Sequence, residues 1–220
     1  AIFGEDGDRT LDAHAARTGF IDFAESIAAA TGERHKPLAV AERFLSIAVG
    51  LYPLMYFMID REFGLLGSKS AELLQDVSWN IGFYTHILLG GFSLLIGWSQ
   101  FSETLRRKHL KLHRLIGKLY VISALLSGLT SIFIAFNATG GLVSIIGFSS
   151  LGVLWVFTTT QAYFFIRNRE VQKHQVMMIY SFSLCFAAVM LRLWLPILVG
   201  IIGDFESAYR VVAWLCWVPN

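Results

Sequence analysis

The chain has 220 residues, 55% of them hydrophobic and only 15% charged, with a mean hydropathy of +0.57. A soluble domain of this length rarely sustains that balance. The net charge of +2 is a small sum over cations gathered into a few blocks, and the longest block lacks the interleaved aromatics and soluble setting of a nucleic-acid site. Cys185 and Cys216 lie inside apolar runs and read as small buried hydrophobes, which argues against a disulfide framework.

The N-terminal segment, residues 1–37, shows no signal-peptide pattern. It is mildly amphipathic over Leu11–Ala30, with Phe20, Phe23 and Ile27 on one side, as expected of a cytosolic or surface-lying helix, or of one packed on a larger assembly. From residue 38 to residue 220 the sequence predicts a transmembrane bundle. A bilayer core of roughly 30 Å needs about 20 mostly apolar residues per helix. Five stretches meet that length: about Leu38–Ile59, Val77–Gln100, Leu112–Phe136, Leu142–Ile166 and Val176–Ile202. A sixth, Ser207–Asn220, is apolar and Trp-rich but short: it is expected either to lie at the interface or to be the first part of a longer helix, and AWLCWVPN, which reads as a helix in progress, favours the second. Pro53 and Pro196 are candidate kinks, and Gly90, Gly91, Gly97 and Gly128 are suited to close helix packing in lipid.

The cations set an orientation. The connection between the second and third spans carries Arg106, Arg107, Lys108, Lys111 and Arg114; that between the fourth and fifth carries Arg167, Arg169 and Lys173. Arg34, Lys36 and Arg43 flank the start of the first span. The opposite connections hold only Arg61 and Lys69 and are net acidic. By the positive-inside rule the N-terminus is expected on the cytoplasmic side, in a bacterial inner membrane or an organelle equivalent.

Imidazoles and charges are costly in a membrane, so each calls for a partner or a purpose. His109 and His113 are one helical turn apart, and His174 opens the fifth span from the same side. Three imidazoles at one depth suit zinc, copper or iron, and a pair of them on two helices suits the two faces of a haem b, with Gly117 one turn beyond His113 leaving room for a flat macrocycle. Ordinary interfacial histidines fit the same pattern. A second polar layer holds His86 and Arg192, each roughly 13–15 Å inside the other end of its helix at 1.5 Å per residue. With Asn80 and Arg210 approaching from that side, this layer suits the polar end of a quinone or lipid pocket, or an internal Arg–carbonyl or Arg–His bridge that fixes packing. No Gly-rich phosphate loop, nucleophile elbow or CxxC motif is present in the sequence.

Three elements in order, THILLGGFSLLIGWSQF, RRKHLKLHRLIGKLYV and KHQVMMIYSFSLCFAAVMLRLWLPIL, followed by AYRVVAWLCWVPN, resemble a bacterial family of multi-pass membrane proteins of unknown function, over about residues 78–220. Where that family more often carries Arg and Trp in the third element, this chain has Gln175 and Met177. A looser likeness is to the transmembrane cytochromes b that take electrons from ascorbate. It implies haem-ligating histidines on successive helices, but the fourth span here contains no His, so only the pair of His113 or His109 with His174 keeps a counterpart. Neither resemblance fixes an activity. The functions these readings leave open are an accessory or assembly subunit of a membrane complex, with lipids and protein as partners; a single-haem redox protein exchanging electrons with quinone; and a metal-binding protein or small-molecule carrier.

Overall fold

The computed structural model describes residues 36–58 and 64–219 of the chain. The amphipathic stretch expected at 11–30, and His14 and His35, lie outside the described residues. The chain divides into two compact units, Ala1–Arg43 and Phe44–Asn220. Of the first, only the opening turns of helix α1 (Lys36–Leu51) are described.

The second unit is an all-α membrane bundle with five helical stretches long and apolar enough to cross a bilayer: Val40–Met58 (which begins in the first unit), Val77–Phe101, Leu110–Ala135, Leu142–Arg167 and Val171–Ile202. Among the described residues there is no strand. Large apolar side chains face outward along their whole length, for example Ile122 at 57%, Leu129 at 56% and Ile201 at 77% exposure. In water such a surface would drive association, whereas in lipid it is the expected exterior.

The first span is not one continuous α-helix. Pro53 lacks an N–H and fixes its own φ, so α1 gives way to a tight 3-10 turn at Tyr52–Leu54 before the chain resumes as α2 (Met55–Met58). A second tight turn at Gly64–Ser68 leads into the short α3 (Ala71–Gln75). Asp76 then accepts a hydrogen bond from the Trp79 N–H at 3.0 Å and starts α4 (Val77–Gly97). Ser102 caps α5 (Glu103–Lys108), which carries the basic run to α6 (Leu110–Ala135). Helices α7 (Leu142–Arg167) and α8 (Val171–Ile202) follow. Pro196 is accommodated inside α8 without ending it. Gly203, at φ +79°, closes α8 in the left-handed conformation that costs glycine little. Finally, α9 (Phe205–Leu215) is capped by Asp204, which accepts from the Ser207 N–H at 2.8 Å. The sixth stretch therefore stops being helical at Leu215, short of the run expected from AWLCWVPN. Pro219 cannot donate to a further helical turn and disfavours helix at the residue before it.

Successive long helices α4, α6, α7 and α8 pack side by side, and α9 packs on α7 and α8. Small residues set the approach. A Cβ added to Gly128 would meet Val156 Cγ2 at 2.7 Å, one on Gly152 would meet Ser131 Oγ at 2.6 Å, and one on Gly91 would meet the Gly50 carbonyl oxygen at 2.6 Å. Buried hydroxyls bridge the helices: Ser93 to Ser123 at 2.8 Å, and Tyr120 through Ser181 to Thr159 at 2.9 and 2.7 Å. The basic connections 102–109 and 168–170 define one end of this unit, and the connections 64–76, 136–141 and 203–204 define the other, called below the far end.

Candidate functional site

All the long helices contribute to the wall of one cavity of about 460 Å³, which reaches from the far-end connections into the middle of the bundle. Its lining is mostly apolar and aromatic, with Trp79, Phe83, Leu94, Trp155 and Cys185 among the buried side chains that face it. Into this surface project His86 from α4, Arg192 from α8 and Lys69 from the far-end connection.

Arg192 sits ten residues before the end of α8 at Ile202, about 15 Å along the helix. Its guanidinium lies deep in the bundle, and the surface area it retains opens onto the cavity. Nη1 donates to the Ala188 carbonyl at 2.8 Å. The guanidinium carbon lies 4.6 Å from the centre of the Tyr52 ring, a cation–π distance. The Tyr56 and Tyr209 hydroxyls are near enough to act on its charge. Arg192 Nε is sealed from solvent with no hydrogen-bond partner, and among the described residues no carboxylate pairs with this arginine.

His86 is held from α6. Its Nδ1 is 3.0 Å from the Ser127 carbonyl oxygen, and the Ser127 hydroxyl donates back to the His86 carbonyl at 2.8 Å. A carbonyl only accepts, so Nδ1 carries the proton in this bond and Nε2 of the neutral ring offers a lone pair. The two polar residues expected at one depth thus line the same cavity. The alternative internal bridge is present too, as the bond from Arg192 to the Ala188 carbonyl. Asn80 is elsewhere: its Nδ2 donates to the Leu74 and Asp76 carbonyls at 2.9 and 2.7 Å, and it faces a shallow outer groove. Arg210 ties the far-end loop, donating to the Gly140 carbonyl at 2.9 Å and pairing with Glu206 at 2.5 Å.

Lys69 was legible in the sequence only as a far-side cation. In the structure its Nζ donates to the Asn137 carbonyl at 2.6 Å and to Thr139 Oγ1 at 3.0 Å, and Ser68 reaches the same threonine at 3.1 Å. Burial at this position pushes the ammonium down to about 8 from its ordinary 10.5. Tyr52 and Tyr56, which surround Arg192, were also missed. Their spacing of four on one face, flanking Pro53, was the available signal.

At the basic end His113 and His174, on α6 and α8, lie close enough for their charges to interact. His174 Nδ1 is 2.8 Å from the Ala162 carbonyl oxygen, and by the same reasoning donates to it. His113 Nδ1 is buried without a partner. His109 is exposed at the N-cap of α6. Among the described residues no group of three or more His, Cys, Asp or Glu side chains is arranged to hold a metal ion. The open face of Gly117 is taken by the Gln100 carboxamide, whose Oε1 lies 3.1 Å from the position of an added Cβ. That is the space a macrocycle was expected to use.

A family model described as a predicted membrane protein (DUF2306) matches residues 83–220 of the chain. No curated protein and no solved structure matches it.

Proposed function

The chain belongs to the DUF2306 family of predicted membrane proteins, and we propose that this member is a membrane-embedded binding protein whose cavity receives a lipophilic molecule by its polar head. One observation carries the reading: a cavity of about 460 Å³, apolar over most of its wall, with donors of Arg192 and the ring of His86 on its lining. Ligand pockets are concave, mostly apolar, and roughly 300–1,000 Å³, with a few polar groups that orient the occupant. Here the guanidinium supplies donors for the carbonyl of a quinone or the oxygens of a lipid head, and His86 Nε2 supplies an acceptor for a hydroxyl, as in a quinol or a lipid head. The cation bias of the connections puts the cavity's far end on the non-cytoplasmic side in this reading. Solvent extraction and mass spectrometry of the purified chain test it. A lipophile at about one per chain is expected, and it should be lost from a folded Ala188→Phe variant, which fills the cavity beside Arg192. Identical extracts from both proteins would overturn the proposal.

A second reading rests on the basic end. The bond from His174 to the Ala162 carbonyl is the kind that fixes a metal-ligating imidazole, leaving Nε2 outward. His113 and His174 would be the axial ligands of a haem b, the cofactor supplying electron transfer. Gln100 stands against this reading, because it fills the space beside Gly117. An absorption spectrum without a Soret band ends it, and a band that survives His174→Ala ends the ligand assignment.

A further inference from the structure

The cavity's charges are of one sign. Among the described residues that line it, Arg192 and Lys69 are the only charged side chains and both are cations. The carbonyl, aromatic and phenolic groups around Arg192 stabilise a guanidinium only in part, and its Nε is left unmatched. A charge held in a bilayer without a counterion is costly, which is why intramembrane ions are paired. The two cations also occupy different levels. Lys69 stands where the far-end connections meet, anchored to Asn137 and Thr139, and Arg192 stands about 15 Å in. Below Arg192 the wall is apolar again, with Leu94, Trp155 and Cys185.

From this arrangement we infer that the occupant is an amphiphile with an oxyanion head, a carboxylate or a phosphate, whose negative charge is the missing partner of Arg192. Lys69 lies on the path from the far end and draws the anion in, since a cation at a low-dielectric mouth concentrates ligands of opposite sign. The part of the guanidinium that keeps surface on the cavity then meets the head, in the charge-assisted hydrogen bonds by which arginine binds oxyanions. The hydrocarbon tail occupies the apolar part of the cavity. This inference rests on the binding role proposed above and adds to it the charge of the ligand.

The test uses the indoles in the wall, Trp79 and Trp155, as reporters. The purified chain in detergent micelles is titrated with dibromostearate, its methyl ester, dibromostearyl alcohol and a dibromoacyl lysophosphatidate, and bromine quenching of tryptophan is read. The anions are expected to bind at least about tenfold tighter than the ester and alcohol, as for a hydrogen bond to a charged group. Arg192→Gln should erase that preference, weakening the anions far more than the ester or alcohol, and Arg192→Lys should keep part of it. Lys69→Gln should slow association of the anions alone, which supports the path even if the Arg192 variants fail to fold. The carboxylate and phosphate arms identify which oxyanion is preferred. Equal binding of acid, ester and alcohol overturns the anion inference and leaves the pocket standing. No quenching by any probe overturns both.

Discussion

Replacing Gly91 with alanine tests the packing on which the cavity depends. Gly91 on α4 faces Gly50 on α1, and each leaves space for the other's backbone. An added Cβ at residue 91 would stand 2.6 Å from the Gly50 carbonyl oxygen and 3.0 Å from Pro53 Cγ, whereas ordinary contact begins at 3.4 Å. The difference, 3.4 less 2.6, requires a retreat of about 0.8 Å by backbone that has no rotamer to change. Overpacking of this kind costs about 1–3 kcal/mol, and alanine's better helix propensity recovers only about 1 kcal/mol of it. Gly200→Ala is the matched control: it lies in α8 with nothing within 4 Å of an added Cβ, so it should be neutral or slightly stabilising. Reversible unfolding of both variants in mixed micelles, followed by circular dichroism, gives the comparison. Cross-linking between cysteines placed on α1 and α4 should fall in Gly91→Ala and not in Gly200→Ala. If Gly91→Ala matches the control in both assays, the close approach of these helices is refuted.

Ser181→Ala removes the hydroxyl between Tyr120 and Thr159. Thr159 keeps its bond to the Trp155 carbonyl, so the expected loss is about 1 kcal/mol in the same unfolding assay, nearer the modest values found for polar contacts in membranes than a full desolvation penalty. Gly140→Ala should loosen the far-end loop, because φ is +93° there and a Cβ would lie 2.5 Å from Ser144 Oγ; faster hydrogen exchange at residues 137–141 is the readout. Lys69 gives a pH dependence. Its folded value of about 8 lies below the ordinary 10.5, so between those limits the unfolded chain binds more protons and stability rises with pH; below pH 8 the penalty of burying the charge is present in full. Lys69→Met should flatten the profile in that window, and an unchanged slope would contradict the burial described here.

The spans were legible because the lipid core imposes a length, and five stretches of the chain meet it. Counting 1.5 Å per residue along antiparallel helices was enough to bring His86 and Arg192 to one level, because helix rise does not depend on side chains. Azimuth was not legible. Helices apolar all round carry no stripe that says which face turns inward, so nothing in the sequence told that Asn80 would serve Leu74 and Asp76 or that Gln100 would lie against Gly117. Tyr52 and Lys69 were missed for another reason. Tyr52 stands at a break that Pro53 makes in the first span, and Lys69 sits on a connection that folds back over the bundle to bond the loop after α6. Those placements come from tertiary structure rather than from period or hydropathy.

A chamber whose sides are shared among all the spans would tie any guest to the endurance of the whole molecule. Anything that binds the folded chain and not the unfolded one raises its resistance to heat by mass action, by about 2.7 kcal/mol at a hundred times the dissociation constant. Melting curves recorded across a library of lipid extracts would therefore single out a guest of this chamber by its protection alone, before its chemistry is known.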